Sequence, residues 1–289
     1  MSGKTIPEIS DTLEFIKMQG VGNDFVLVDA RQRQDLNWSG LAPEICNRRF
    51  GVGADGLLVI SPSRVADLTM RMYNPDGTPD FCGNGLRCVA RYAVERHLVD
   101  KDSLTISTLA GTRSACVSRD DSGVIRSVTV DMGAPRFDPQ DVPIKHDGER
   151  AVNIPLKVGD REITVTALST GSTHTVIFLD ELPTEPEFQE ISPAIENHPA
   201  FPERTSVMWC RVESDHRIQM RIWERGAGET WGCGTGSCAA AVAGILLQRT
   251  GNEVAIVSRG GELIVRWRPG ETIELEGAAE TVFQGLYPL

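Results

Sequence analysis

Short runs of alternating apolar and polar residues recur along the chain, a pattern typical of β-strands that bury one face. Two runs of small and apolar residues interrupt this pattern and predict helices, one over about 86–97 and the other over about 238–250. The second run, CAAAVAGILL, is apolar on nearly every side, so we expect that helix to be buried all round. A Cys-Gly-x-Gly motif precedes each run, beginning at Cys82 and at Cys233.

The pattern around the first motif recurs around the second, which indicates a duplicated unit. Each copy contains a glycine turn before an apolar strand, a methionine in an alternating strand, the cysteine motif, and a glycine turn between two later strands. In chain order the matching pairs are Gly22 and Gly171, Met70 and Met220, Cys82 and Cys233, and Gly111 and Gly261. Chance recurrence explains any one pair more readily than all of them in the same order at similar spacings.

The repeat predicts an α/β (α+β) fold with two pseudo-symmetric domains, each a mixed β-sheet or barrel wrapped around a central helix. We place the first domain at 11–135 plus 276–289 and the second at 136–275. The last strand, ETVFQGLYPL, is expected to return to the first half of the chain. The segment 179–203 is rich in proline and glutamate, and we expect a surface excursion there with one short helix.

Composition and charge narrow the range of functions. The chain has 289 residues, 40% of them hydrophobic, enough for one large core or two ordinary domains. A formal net charge of −11 argues against binding to nucleic acid or to anionic membranes through a basic face. We find no run of about 18 apolar residues that would span a membrane, and the N-terminal residues lack the apolar stretch of a signal peptide. We therefore expect a cytoplasmic protein with a small-molecule partner.

Neither a metal nor an organic cofactor is expected. The seven cysteines, an odd number, favour thiols over a disulfide framework. None belongs to a CxxC pair of the kind that holds structural zinc. Neither copy of the repeat completes GxGxxG for a dinucleotide, and no lysine follows Lys157 to form a Schiff base with pyridoxal phosphate.

The two motif cysteines carry the candidate chemistry. Each lies just before a predicted helix, where unpaired N–H groups and the helix dipole are expected to lower the pKa of a thiol. The glycines that follow allow a ligand to approach the backbone, and a carboxylate could rest on the N–H groups. One thiolate could remove a proton from a carbon while an opposite thiol delivers one, which inverts a stereocentre. The alternative, a buried structural cysteine, is what we expect for Cys88 and Cys238.

Many stretches of the chain resemble those of the diaminopimelate epimerases, and together they extend over nearly its whole length. They are KMQGVGNDFVLVD, RRFGVGADGLL, MRMYNPDG, FCGNGLRC, VTVDMGAP, RIWERGAGET, GCGTGSCA, SRGGELIV and VFQG. The resemblance implies two α/β domains with the active site between them. It also implies cofactor-independent epimerisation of LL-2,6-diaminopimelate to meso-diaminopimelate by two cysteines, a step in lysine and peptidoglycan biosynthesis.

The resemblance further implies roles for residues in the matching motifs. Cys82 and Cys233 would be the acid/base pair, and the backbone after each cysteine would hold the reacting α-carboxylate. Two asparagines would donate hydrogen bonds to the substrate, and an adjacent Glu–Arg pair would bind its distal ammonium and carboxylate. The implied substrate-binding residues are Asn23, Asn74, Gly83, Asn84, Ser172, Ser206, Glu224, Arg225, Gly234 and Thr235.

Two of these positions depart from the family pattern. Ser172 stands where the family has the Asn of Gly-Asn-Pro-His, and Ser206 stands where it has an Asn after Phe-Pro. A hydroxyl has fewer donors and a shorter reach than an amide, so either waters bridge the gap or the distal pocket suits another amino acid. A cofactor-independent racemase of another amino acid is therefore the alternative enzyme. A protein that only binds an amino acid is the alternative without catalysis.

Several single residues also have a second interpretation. Asn74 lies in the turn sequence NPDG and could simply form that turn. Glu224 and Arg225 could be an ordinary pair of surface charges. His174 could tune a thiol or be a strand histidine with satisfied hydrogen bonds. Formation of a homodimer is compatible with the sequence.

Overall fold

The computed structural model describes residues 12–33 and 35–289, which divide into two compact units. The first contains the described residues up to Val128 together with Ala279–Leu289, and the second is Thr129–Ala278. The sequence-based boundaries lie after 135 and before 276. Residues 1–11 of the N-terminal segment, where no signal peptide is expected, lie outside the described residues. Within those residues, no helix is long and apolar enough to cross a membrane.

Strands dominate both units. The first unit contains β1 (Thr12–Gly20), β2 (Asn23–Asp29), α1 (Trp38–Ile45), β3 (Gly56–Ser61), β4 (Leu68–Tyr73), β5 (Pro79–Asp80), α2 (Gly83–Glu95), β6 (Ser103–Thr108) and β7 (Gly111–Arg119). Strand β8 (Ile125–Asp131) spans the boundary. The second unit contains β9 (Ile154–Val158), β10 (Arg161–Ser169), β11 (Thr173–Phe178), α3 (Glu185–Glu196), β12 (Ser206–Ser214), β13 (Arg217–Glu224), β14 (Gly228–Thr230), α4 (Gly234–Leu246), β15 (Glu253–Ser258), β16 (Gly261–Arg266) and β17 (Glu274–Gly277). Strand β18 (Glu280–Pro288) belongs to the first unit.

The strands pair in corresponding orders in the two units. In the first, the order is β18–β1–β2–β3–β4–β6–β7, and β2–β3 and β4–β6 are parallel. In the second, it is β9–β10–β11–β12–β13–β15–β16–β17, and β11–β12 and β13–β15 are parallel. The short strands β5 and β14 pair with the ends of β4 and β13, just before each central helix. The pseudo-symmetric α/β fold is thus confirmed, as is the return of the last strand to the first half.

The landmarks of the sequence repeat occupy equivalent places in the two units. Met70 and Met220 are buried in β4 and β13. The paired glycines all have positive φ, a backbone conformation that glycine adopts without the steric penalty of a Cβ. They are Gly22, Gly171, Gly111 and Gly261.

Strand β2 shows why some strands are apolar on both faces. Val26 and Val28 belong to the core cluster that includes residues of α1. The alternation of a strand directs Phe25 and Leu27 to the opposite face, on which α2 lies. All four side chains are buried, so the continuous run FVLV replaces simple alternation.

Both central helices begin earlier than the sequence predicts. The structure starts α2 at Gly83 and α4 at Gly234, so the motif glycines form the first helical turn and the cysteine before them is the N-cap. Burial of α4 on every side is confirmed, because its residues from Gly236 to Gly244 are all buried.

The two central helices also end in the same way. The N–H groups of Leu98 and Arg249 each bond to a carbonyl five residues earlier, and the residues before them, His97 and Gln248, have positive φ. This is a Schellman C-cap, which ends a helix in the left-handed region. The predicted helices continue beyond the last helical residues, Glu95 and Leu246, because neither cap contains the glycine that usually marks a helix end.

The proline- and glutamate-rich segment is partly a core element. Its helix α3 carries Phe188, Ile191 and Ile195 at helical spacing, and all three are buried in the core of the second unit. A capping box of Thr184 and Glu187 starts the helix. The prediction of one helix is confirmed. The prediction of a surface excursion is wrong for this helix, because its apolar side covers the sheet.

Candidate active site

Cys82 is the N-cap of α2, in an extended backbone conformation with φ −138° and ψ 117°. Its Sγ accepts a hydrogen bond from the N–H of Gly85 at 3.5 Å. The sulfur therefore takes the place of the oxygen that usually caps a helix. A Cβ on Gly85 would lie 2.8 Å from Leu58 Cδ2 of β3. Glycine thus lets the start of α2 lie close against the sheet, with the partly exposed thiol at its tip.

The amide of Asn23 lies next to this thiol. Its Oδ1 accepts a hydrogen bond from Cys82 Sγ at 3.6 Å and another from Asn84 Nδ2 at 3.2 Å. Its Nδ2 donates to Asp55 Oδ2 at 2.8 Å, and Asp55 in turn pairs with Arg48. Asp55 therefore orients the amide with its acceptor end toward the thiol. The sequence-based prediction for Asn23 was the opposite end, a donor to substrate.

A cluster of charged residues next to Asn23 stabilises this arrangement. Asp24, which follows Asn23, forms ion pairs with Lys17 and Arg48. Burial disfavours the charged form of Asp24, but hydrogen bonds from Arg48 and Lys17 outweigh it and lower the pKa of Asp24 to about 2. Because Arg48 contacts both Asp24 and Asp55, the cluster fixes the backbone on which Asn23 stands.

Asn74 and Asn84 have different surroundings. Asn74 Nδ2 donates to Thr78 Oγ1 at 3.1 Å, and the Asn74 backbone closes the β4–β5 turn with Thr78 and Gly77. Asn84 lies in the first turn of α2, is 2% exposed, and its Oδ1 has no hydrogen-bond partner within the described ranges. The structure therefore brings Asn84 to the thiol cluster and gives Asn74 the contacts of a turn residue. Contact of Asn74 with a substrate stays a prediction.

Cys233 has the same N-cap geometry in the second unit, with φ −130° and ψ 111°. Its Sγ accepts from the N–H of Gly236 at 3.3 Å and lies 3.4 Å from Thr235 Oγ1. A Cβ on Gly236 would lie 2.6 Å from Met208 Sδ of β12, so the close approach of helix and sheet is repeated. The two motif cysteines therefore occupy equivalent positions at the start of the central helix of each unit.

A carboxylate distinguishes the surroundings of Cys233 from those of Cys82. Glu224, at the end of β13, accepts a hydrogen bond from Thr230 Oγ1 at 2.5 Å, and its charge acts on the Cys233 thiol. Burial first, and the charge of Glu224 second, raise the pKa of Cys233 well above its ordinary value, against a smaller lowering by Thr235 and Gly236. The expected lowering of the pKa at the helix start is therefore wrong for Cys233, because burial and a neighbouring anion outweigh the N–H groups.

His174 is a buried, neutral histidine beside Ser172. The Ser172 hydroxyl is 3.1 Å from His174 Nε2, and Nδ1 has no hydrogen-bond partner in the described part of the chain. Burial, followed by the charge of Arg225, lowers the pKa of His174 to about 3. The parallel pairing of β11 with β12 makes His174 and Ser206 register partners, so the two serines at family asparagine positions lie at the same end of the sheet.

Ser206 supports the turn that carries Arg225. Its Oγ accepts from the backbone N–H of Arg225 at 3.1 Å, and Arg225 Nη1 donates to the carbonyl of Glu203 at 2.9 Å. Glu224 instead accepts a hydrogen bond from Thr230, and its charge acts on Cys233, so these two adjacent charged residues have separate partners. Direct contact of either serine with a ligand stays a prediction.

The sequence analysis did not identify three residues that hydrogen-bond to the predicted site residues or to the turn that carries them. They are Asp55, Thr230 and Glu196. The first two lie inside the stretches RRFGVGADGLL and RIWERGAGET, which carried the resemblance. Glu196 ends α3 and accepts a hydrogen bond from the backbone of Gly226. It lies eight residues after the buried Phe188, on the same side of the helix. A carboxylate on the apolar side of a helix is the signal that could have identified it.

Comparison with known proteins shows similarity over almost the whole chain. A family model described as diaminopimelate epimerase matches residues 15–137 and 166–282. The diaminopimelate epimerase of Pelotomaculum thermopropionicum is 44% identical over 279 residues, which cover 96% of this chain and 99% of that relative. The one of Carboxydothermus hydrogenoformans is also 44% identical over 279 residues, with 95% and 99% covered.

Solved structures of lower identity share the fold. A hydroxyproline epimerase from Agrobacterium vitis has a TM-score of 0.71 and 14% identity, covering 98% of this chain and 94% of its own. A phenazine biosynthesis protein of the PhzF family from Bacillus anthracis has a TM-score of 0.68 and 21% identity, covering 96% and 99%. These likenesses show the same two-unit α/β architecture.

Proposed function

The chain belongs to the diaminopimelate epimerase family, and from this premise we propose that it converts LL-2,6-diaminopimelate to meso-diaminopimelate without a cofactor, using Cys82 and Cys233. The observation that carries the proposal is the repeated N-cap thiol at the start of the central helix of each unit. The reaction belongs to lysine and peptidoglycan biosynthesis, and we place it in the cytoplasm.

The reaction inverts one α-carbon by a proton transfer on each of its faces. One sulfur, as a thiolate, takes the α-proton and becomes a thiol, while the other sulfur, as a thiol, gives its proton to the opposite face. The number of protons on the pair is unchanged, but the two sulfurs have exchanged states, so they titrate as a coupled pair. Protons must redistribute between them before the next turnover in the same direction.

Negative charge that develops on the α-carbon spreads into the α-carboxylate, where fixed donors stabilise it. Backbone N–H groups in the first turn of a helix are not used by the helix itself, so they can donate to that carboxylate. We assign this role to Gly83 and Asn84 in the first unit and to Gly234 and Thr235 in the second. The buried Asn84 Oδ1, unpartnered among the described residues, suits the α-ammonium group.

The surroundings of Cys233 assign a starting state to the pair. Its raised pKa favours the thiol, so Cys233 is the proton donor and Cys82 the base in the direction that begins from this state. In the reverse direction Cys233 acts as the base. In that direction Cys82, now the thiol, donates its proton to the opposite face of the carbon.

The distal end of the substrate is assigned to Arg225 and the two serines. A guanidinium binds a carboxylate through two parallel hydrogen bonds. Ser206 accepts from the Arg225 backbone, so its own hydroxyl proton remains available for a ligand. The presence of Ser172 and Ser206 at family asparagine positions favours, as the second candidate, a racemase of another amino acid.

The two-thiol proposal is tested with LL-diaminopimelate in heavy water under reducing conditions. The wild-type enzyme should form the meso isomer and incorporate deuterium at the α-carbon, with no cofactor added. Cys82→Ser and Cys233→Ser should each lose about 10²- to 10⁴-fold in turnover, the range typical of acid/base groups. Cys116→Ser, which changes an exposed cysteine of β7, is the matched control and should keep full activity. Normal turnover by either active-site variant would contradict the assignment of Cys82 and Cys233 as the acid/base pair.

A panel of amino acids in the same assay separates the candidates. Turnover of diaminopimelate alone supports the epimerase. Faster inversion of another amino acid supports the racemase. Tight binding without exchange of the α-proton supports a protein that only captures its ligand.

A further inference from the structure

Glu196 is a buried carboxylate at the end of α3, and its side chain is 7% exposed. Its Oε2 accepts a hydrogen bond from Trp223 Nε1 at 2.7 Å. Its Oε1 accepts from the backbone N–H of Gly226 at 2.8 Å and from Arg204 Nη1 at 3.1 Å. Both carboxylate oxygens are therefore engaged.

Two of these donors lie on either side of the Glu224–Arg225 pair. Trp223 precedes the pair in β13, and Gly226 follows it in the turn with a φ of 79°, which favours glycine. Glu196 thus forms hydrogen bonds with the residues immediately before and immediately after Glu224 and Arg225, the two residues to which we assign roles in the reaction.

The same side of α3 holds Trp223 through a second contact. The indole packs edge-on against Phe188, with ring centroids 5.7 Å apart. Phe188 provides an apolar contact and Glu196, eight residues later on the helix, provides a polar one. The helix therefore fixes both the position and the rotation of the Trp223 ring.

Stability alone explains this carboxylate poorly. Removing a carboxylate from water is expensive, and an apolar residue of similar volume would fill the space at lower cost. Its oppositely charged partner, Arg204, is 51% exposed, and an ion pair of that kind contributes little. What an apolar residue could not supply are the two hydrogen bonds to the turn.

We propose that Glu196 is a positioning residue that holds the 223–226 turn, so that Glu224 faces the Cys233 thiol and Arg225 faces the substrate. Glu196 acts through these residues and does not itself contact the substrate. The proposal rests on the proposed function for the roles of Glu224 and Arg225.

The first test is Glu196→Gln, which keeps the size of the side chain. The amide has one acceptor oxygen instead of two. Because Gly226 and Arg204 both donate on the Oε1 side, we expect the oxygen to stay there and Trp223 to lose its partner. We expect kcat/KM for LL-diaminopimelate to fall by about 10- to 100-fold, because the groups that bind and react with the substrate are displaced. KM rises because Arg225 loses its position, and kcat falls because Glu224 does.

Two control variants separate this role from charge and helix stability. Glu190→Gln changes an exposed glutamate of the same helix. Arg204→Gln removes the half-exposed ion partner and leaves both hydrogen bonds to the turn intact. Both should stay within about threefold of the wild-type kcat/KM. An effect of Arg204→Gln as large as that of Glu196→Gln would overturn the positioning role.

A readout that does not depend on turnover is the indole N–H signal of Trp223, assigned in ¹H–¹⁵N spectra with Trp223→Phe. In Glu196→Gln this signal should move and exchange faster with solvent, while it should stay in place in Glu190→Gln. An unchanged signal in Glu196→Gln, or unchanged kcat and KM, overturns the proposal. If the wild type fails to turn over diaminopimelate, the proposed function fails, and the indole signal still decides whether Glu196 holds the turn.

Trp223→Phe also serves if Glu196→Gln does not fold. It keeps a ring beside Phe188 and removes one of the three donors to Glu196. KM should rise about 3- to 10-fold, and the melting temperature should fall modestly because the buried Oε2 of Glu196 loses its donor. Wild-type kinetics in a folded Trp223→Phe enzyme would also overturn the proposal.

Discussion

Cys82 and Cys233 share a backbone conformation, and single neighbouring residues make them chemically different. An amide oxygen, from Asn23, faces the first thiol, and a carboxylate, from Glu224, faces the second. The cysteines could be identified from sequence because their motif is repeated. Residues that orient the neighbours could not, because their contacts join distant parts of the chain; Asp55 reaches Asn23 from 32 residues away.

At the residue scale, buried His174 should make stability depend on pH. Burial, and then the charge of Arg225, lower its pKa from 6.5 to about 3. Below about pH 6.5 the unfolded chain binds a proton at this histidine, whereas the folded chain does not until the pH approaches 3. The free energy of unfolding should therefore fall as the pH falls through this window, and this residue should contribute no slope well above pH 6.5.

Urea unfolding at a series of pH values between about 6.5 and 5 measures the effect, since most of this window lies above the range where loss of the Asp24 charge matters. His174→Gln should flatten the dependence of the unfolding free energy on pH. His216→Gln changes a histidine whose side chain is 72% exposed, and it should keep the wild-type slope. A slope in His174→Gln as steep as that of the wild type would contradict a neutral, buried imidazole.

At the element scale, periodicity and repetition predicted which elements exist, while tertiary contacts decided where helices start and what they cover. The sequence analysis left Gly83 and Gly234 outside the predicted helices because glycine is a poor helix former. In the structure they form the first helical turn, directly after the cysteine that caps each helix. The apolar spacing of Phe188, Ile191 and Ile195 was present in the sequence, but the surrounding prolines and glutamates favoured a surface position.

The glycine at the third position of each central helix should be essential for placing the thiol. An alanine at Gly85 or Gly236 would gain about 1 kcal/mol in helix propensity. Its Cβ would meet Leu58 or Met208 at 2.8 and 2.6 Å, and such overpacking typically costs about 1–3 kcal/mol. The two terms nearly offset each other, so we expect a modest loss of stability in urea unfolding. Turnover should fall much more, about tenfold or greater, because the helix start and its cysteine are displaced.

The matched control is Gly251→Ala, where the nearest atom, in His216, would lie 3.5 Å from the new Cβ. This variant should keep both the stability and the turnover of the wild type. Full turnover in Gly85→Ala and Gly236→Ala would mean that close packing of the helix start does not position the thiols.

At the scale of the whole molecule, duplication provides two units of the same topology whose thiols have unequal surroundings. The repeat itself was visible in the sequence, because glycines, methionines and cysteines recur in order. The difference between the surroundings of the two thiols was not visible in the sequence. It depends on Glu224, which the matching motifs assigned to the distal end of the substrate. A reaction that needs one thiol and one thiolate at each moment benefits from this inequality, since it favours one arrangement of the protons over the other.

The difference between the surroundings of the two thiols predicts that Glu224→Gln lowers the pKa of Cys233 and slows turnover. Burial remains the main cause of the raised pKa, but the negative charge of Glu224, the second cause, is removed, so the pKa of Cys233 should fall. Alkylation of Cys233 by iodoacetamide, followed by mass spectrometry across a pH series, should therefore reach its midpoint at a lower pH than in the wild type.

Cys210, a buried cysteine of β12, serves as the internal reference, because it is read from the same digest and lies outside the thiol pair. Its alkylation profile should be unchanged, which separates a local charge effect from a general loosening of the fold. Unchanged alkylation of Cys233 in Glu224→Gln would show that the carboxylate does not act on the sulfur. Equal acceleration at both cysteines would instead indicate opening of the structure, and the proposed acid/base asymmetry between the units would lose its physical basis.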